Sequence, residues 1–153
     1  VILYCDTSAL AKCYFREAHS ETMLDLCQQA EATAVCVIGY AEFHSALQRK
    51  RREGALTGAD CARLLAGFEE DWDRFVQVEV TPELNRAAAG LLGRHALRPF
   101  DALHLAAALL LPHRVPQVDL VFAGLDDRQL QVALAEGLGV PPALAGRLPA
   151  TSG

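Results

Sequence analysis

The chain has 153 residues, 52% of them hydrophobic and 22% charged, with a net charge of −5. Such a chain makes one domain, burying roughly 70% of its unfolded surface, and its composition excludes a disordered or fibrous polymer. The longest apolar run, Leu105–Leu111, stops at Pro112, well short of the ~20 residues that span a bilayer; with no signal-peptide pattern at the start, a soluble, cytoplasmic protein with no membrane partner is expected.

Short apolar runs alternate with amphipathic segments, the pattern of a parallel sheet with crossover helices. Val1–Cys5 is continuously apolar and suits a strand buried on both faces. Ser20 is placed to cap a helix carrying Met23, Leu24, Leu26 and Cys27, and Val35–Ile38 reads as a second strand. A helix from about Tyr40 ends at Gly54, with Arg49-Lys50-Arg51-Arg52 in its last turns, where cations favour the helix dipole. Thr57 and Asp60 have the spacing of a capping box for a helix carrying Cys61, Leu64, Leu65 and Phe68. Phe75–Val80 alternates as a third strand, and Thr81-Pro82-Glu83 starts another helix. Pro99 opens a helix that Pro112 is expected to close. Leu120–Ala123 is the fourth strand and Gly139-Val140 a short fifth. The domain is expected to span 1–140, with 141–153, rich in Pro, Ala and Gly, as a flexible tail.

Five scattered cysteines without a CxxC pair read as reduced core thiols, not as a zinc site or a disulfide frame. The acidic balance argues weakly against a polyanion partner, but local distribution decides binding.

The chemistry lies in the acids. Asp6 follows the first strand directly, and Asp126 follows the fourth by three residues, so both reach the carboxyl edge of the sheet, where open parallel sheets bind ligands. Glu42 and Asp101 lie near the starts of two helices, where an acid can also serve only the helix dipole. Convergence of all four would create repulsion that a hard divalent cation relieves, and all-oxygen ligation selects Mg²⁺ or Mn²⁺. Such ions support phosphodiester hydrolysis.

These residues stand in contexts that resemble the PIN-domain family, and within it the VapC-type toxins of toxin–antitoxin pairs. Ile2-Leu3-Tyr4-Cys5-Asp6-Thr7-Ser8-Ala9-Leu10 resembles the first acidic motif and Tyr40-Ala41-Glu42-Phe43-His44 the second. Arg98-Pro99-Phe100-Asp101-Ala102-Leu103-His104-Leu105-Ala106-Ala107, the most specific piece, resembles the third, and Val121-Phe122-Ala123-Gly124-Leu125-Asp126 the fourth. The resemblance implies a three-layer α/β/α fold around a central parallel sheet of four to five strands, and Mg²⁺- or Mn²⁺-dependent cleavage of an RNA substrate. It also implies a homodimer and a cognate antitoxin protein laid across the active-site groove. By the same resemblance Asp6, Glu42, Asp101 and Asp126 are the catalytic and metal-binding acids, and Ser8 would hydrogen-bond a carboxylate or a metal-bound water. The fourth motif departs from the family pattern: Gly124 stands where Ser or Thr is usual, which weakens Asp126 and leaves Asp127 to substitute for it or support the site.

Lys12, Arg49, Arg52 and Arg128 are candidate RNA contacts, although consecutive residues on a helix point in different directions. His104, one turn after Asp101, invites a general-base role that metal-activated water makes unnecessary. A scaffold that binds RNA or a protein without cutting is the alternative function. A haloacid-dehalogenase-type aspartyl-phosphate enzyme would want a second acid where Ser8 stands.

Overall fold

The computed structural model describes residues 1–146 and 148. Its sheet has four parallel strands in the order β3-β2-β1-β4: β1 (Ile2–Cys5), β2 (Ala32–Cys36), β3 (Val76–Val78) and β4 (Leu120–Ala123). β1 lies between two neighbours, Ile2 pairing with Ala32 on one side and Leu120 on the other. Its four residues are all buried, which is why the sequence there is unbroken apolar. The expected fifth strand shrinks to one parallel bridge, Val121 to Gly139, with Phe122 N–H donating to the Gly139 carbonyl at 2.8 Å.

Eight helices are described: α1 (Thr7–Ala11), α2 (Ser20–Gln29), α3 (Ile38–Arg52), α4 (Gly58–Trp72), α5 (Pro82–Arg94), α6 (Pro99–Arg114), α7 (Asp127–Ala135) and α8 (Pro142–Ala145). They flank the sheet in the expected three-layer α/β/α arrangement. Successive residues of β1 face opposite layers. Tyr4 reaches His104 on α6, and Cys5 faces Cys27 on α2. On the α3–α4 side the core is aromatic, Phe43 and Phe68 stacking at 3.9 Å with Tyr14 edge-on to both. α6 packs against α5 and carries buried alanines at 102, 106, 107 and 108. All five cysteines are free, with Cys13 and Cys27 sulfurs 3.6 Å apart.

Several helix ends follow the sequence. Thr57 and Asp60 form the full capping box, and Thr81 caps α5. Gly54 closes α3 at φ +78°, where a Cβ would strain the backbone; Ala55 N–H reaches the Lys50 carbonyl and Gly54 N–H that of Arg51, a Schellman closure.

Other ends differ. The second strand ends at Cys36, and α3 begins at Ile38 rather than near Tyr40. His19 (φ 71°), not Ser20, occupies the cap of α2; Ser20 Oγ instead binds the Phe15 carbonyl and accepts from Glu17 N–H, pinning the preceding loop. α6 runs through Pro112 to Arg114: the proline gives up its own bond to the Ala108 carbonyl, and the ladder resumes with Val115 N–H donating to the Leu111 carbonyl at 3.2 Å. The tail is not uniformly loose: Pro142–Ala145 is helical and Leu144 is buried. Residues 147 and 149–153 of the expected flexible tail lie outside the described residues.

Candidate active site

Asp6 is the N-cap of α1. Its Oδ1 accepts from Ala9 N–H at 2.8 Å and from Ser8 Oγ at 2.9 Å, with Ser8 3.1 Å from Oδ2. Asp6 N–H donates to the Ala123 carbonyl of β4, so the turn out of β1 is tied to the neighbouring strand. The residue is only 4% exposed. Burial pushes its carboxyl above the ordinary carboxylate range; His104, Ala9 N–H and Ser8 pull it down without offsetting that, and Asp101 adds to the rise.

Glu42 lies on α3, one turn in. Its Oε1 accepts from Thr7 Oγ at 2.8 Å and lies 2.7 Å from His104 Nε2. Burial pushes its carboxyl up, but the His104 and Thr7 hydrogen bonds with the charge of Arg98 prevail and hold it below its usual range. Tyr4 OH lies 3.0 Å from His104 Nδ1. A carboxylate only accepts, so Nε2 donates to Glu42, while Nδ1 shares its hydrogen bond with the Tyr4 hydroxyl. Gly39 lets α3 come this close: a Cβ there would lie 3.2 Å from Thr7 Oγ.

This chain of bonds makes Tyr4→Phe a test of the buried network. Removing the hydroxyl leaves the buried His104 Nδ1 without its partner, and the variant should lose about 1–3 kcal/mol of unfolding free energy. Urea unfolding checks it; an unchanged midpoint would show that Tyr4 contributes only packing.

Asp101, in the first turn of α6, accepts from Arg98 Nε at 2.9 Å. Asp126 caps α7, its Oδ1 accepting from Gln129 N–H at 3.0 Å. All four expected acids line one cavity of about 440 Å³ together with Thr7, Ser8, Arg98 and His104. Asp127 is exposed at the start of α7 and does not line it. Among the described residues no three His, Cys, Asp or Glu side chains are arranged to hold one ion. The donor set is nonetheless all oxygen, and Glu42 Oε2, Asp101 Oδ1 and Asp126 Oδ2 carry no hydrogen bond there. The chemistry therefore fits a hard divalent cation, although the side chains as they stand do not close round one.

A larger groove of about 870 Å³ adjoins this cavity, sharing Thr7, Ser8, Glu42, Arg98 and Phe100 and continuing past Lys12, Arg49 and Lys50. Lys12 and Lys50 both pair with Glu17, at 2.8 and 3.2 Å. Arg49 is exposed at the groove and has no ion pair among the described residues, whereas Arg52 is exposed outside it. Arg128 lines a neighbouring hollow with Arg98, Asp101 and Asp126, outside the groove, and donates to the Ala96 carbonyl. Thr7, the Arg98–Asp101 pair, exposed Phe100 at the rim and Gln129 are site features the sequence did not single out. Only the Asp126-x-x-Gln129 spacing could have pointed to the last.

The family described as PIN domain matches residues 3–114. The chain belongs to the PIN-domain family. The matched stretch holds Asp6, Glu42 and Asp101 and stops before Asp126. Two relatives carry the resemblance further: Ribonuclease VapC45 and Ribonuclease VapC49, from two strains of Mycobacterium tuberculosis. Each is 33% identical over 142 residues, 93% of this chain and 96% of the relative. Among solved structures, FitAcB from Neisseria gonorrhoeae superposes with a TM-score of 0.62 at 13% identity, over 90% of this chain and 95% of that one. VapBC2 from Rickettsia felis, bound to a DNA fragment from its promoter, gives 0.53 at 11%, over 81% and 100%. At those identities the two structures speak for the PIN fold alone. Among the described residues no helix is long and apolar enough to cross a membrane.

Proposed function

We propose that this chain is a Mg²⁺- or Mn²⁺-dependent endoribonuclease that hydrolyses RNA phosphodiester bonds as the toxin of a toxin–antitoxin pair. One observation carries the reading: acids at 6, 42, 101 and 126, distant in sequence, line a single cavity, in a chain one-third identical over nearly its whole length to proteins named ribonucleases. A divalent cation bound there would supply a polarised water and charge stabilisation for the phosphodiester. Asp6, Glu42, Asp101 and Asp126 would hold it. Ser8 fixes the Asp6 carboxylate, Thr7 and His104 fix Glu42, and Arg98 stands beside Asp101 as a cation for a phosphate oxygen. The groove past Arg49 would take the RNA backbone, and Phe100, 57% exposed, offers a base an aromatic face. A cognate antitoxin, implied by the VapC-type resemblance, would block this same groove.

The test is cleavage of a mixed RNA substrate by the metal-free protein with Mg²⁺ or Mn²⁺ added back. Cleavage that EDTA stops supports the reading. A scaffold that binds without cutting is the second reading, favoured by the Glu42–His104 bond that leaves the cage open. Saturable RNA binding with no cleavage under any divalent ion would select it.

A further inference from the structure

Gln129 is wholly buried, yet neither end of its side-chain amide has a hydrogen-bond partner among the described residues. Buried polar groups are ordinarily paired, so an unpaired one calls for an explanation. The sequence offers an ordinary one: Asp126 and Gln129 have capping-box spacing, in which the third helical residue returns a side-chain bond to the cap's backbone. Asp126 makes its half of that box. Gln129 does not return it, since its Oε1 is unpartnered.

The amide turns instead toward Gly124. A Cβ placed on Gly124 would lie 2.9 Å from Gln129 Oε1 and 3.6 Å from Asp6 Oδ2. The amide and the Phe122 ring, 3.0 Å from the same Cβ, therefore fill the space that glycine leaves, and Asp6 Oδ2, whose one partner among the described residues is Ser8, borders that space. The backbone bond to Asp126 pins Gln129 in the first turn of α7, so its side chain starts from a position fixed by one site acid and reaches a space bordered by another.

We propose that Gln129 is a positioning residue of the acidic site, its amide converging with Asp6 Oδ2 beside Gly124 to orient Asp6 for a divalent cation. Either end of the amide suffices: Nε2 can donate to Oδ2, or Oε1 can share with it the hydrogens of a water. The inference rests on the metal-dependent reading above.

Its test is Mn²⁺ binding to the metal-free protein by calorimetry, with thermal unfolding alongside. Gln129→Met keeps the length and removes the amide; it should bind Mn²⁺ about 10-fold more weakly, the lower end for partners that orient ligands. Its metal-free melting temperature should not fall, because an unpaired buried amide is replaced by apolar atoms. A purely structural Gln129 gives the reverse, a lower melting temperature with unaltered Mn²⁺ affinity, and that result overturns the proposal. If the wild type binds no Mn²⁺, the cation reading of the site fails and takes this inference with it. Wild-type binding that Gln129→Met leaves intact removes only the assignment of Gln129.

Discussion

Asp6→Asn is expected to lower RNA cleavage by more than about 100-fold, because even the outer partners of metal ligands cost 10–100-fold when mutated. The same variant should unfold at a higher temperature than the wild type when no metal is present. The Asp6 carboxyl is pushed above the ordinary range, first by burial and further by Asp101. Between its unfolded value and its raised folded value, the native state holds a proton that the unfolded chain releases, so stability falls as pH rises through that window. Asparagine has no charge to desolvate and can still accept from Ala9 N–H. The variant's advantage should thus be absent at acid pH, where Asp6 is protonated in both states, and open toward neutrality. Each kcal/mol of relief would appear as about 2–4 °C at this chain length. Glu42 runs the other way. Its folded value is lowered, so its contribution is present above the unfolded range and lost as pH falls through the folded value. Mn²⁺ should stabilise the wild type by mass action and leave Asp6→Asn nearly unmoved. Scanning calorimetry across pH, with and without Mn²⁺, separates these effects. Undiminished cleavage by the variant would end the case for Asp6 as the central acid.

Asp6 was legible in the sequence because it interrupts the physical logic of its surroundings. A charged residue abutting four buried apolar ones must find partners, and the structure supplies Ala9 N–H and Ser8. Glu42 and Asp101 were ambiguous by themselves, since helix starts attract acids for reasons unrelated to chemistry; three-dimensional convergence distinguishes the two cases. The parallel sheet was readable from run length and alternation. What stayed hidden depends on contacts between distant segments. Nothing local at Thr7 says that its hydroxyl spans to Glu42 on α3, and nothing at Gly124 says that a glutamine five residues on fills its space. Pro112 hides the end of α6, because the hydrogen-bond ladder resumes beyond the one N–H that proline lacks. Among the four basic residues that end α3, sequence could not choose: the helix turns Arg49 and Lys50 into the groove and Arg52 out of it.

Arg49→Glu is expected to weaken RNA binding by about 10-fold at low salt, and to flatten the dependence of log affinity on log salt by about 0.7, one phosphate contact on a single strand. The groove's cations differ in how free they are to act. Lys12 and Lys50 line the groove but share Glu17. Lys12 above all, with Lys50 adding to it against partial burial, holds the Glu17 carboxyl below its usual range. Their charge is therefore partly matched within the protein, whereas Arg49 has no such partner among the described residues. Arg52→Glu changes the net charge equally at a position outside the groove, so it should leave affinity within about two-fold once general screening is allowed for. Glu17→Gln should do the opposite of Arg49→Glu, freeing two ammonium groups to face phosphates and steepening the salt dependence. Fluorescence anisotropy on an uncleaved RNA, in the Asp6→Asn background, reads all three. Equal losses from Arg49→Glu and Arg52→Glu would mean that RNA senses only the overall charge of the molecule, and the groove would lose its claim to the backbone.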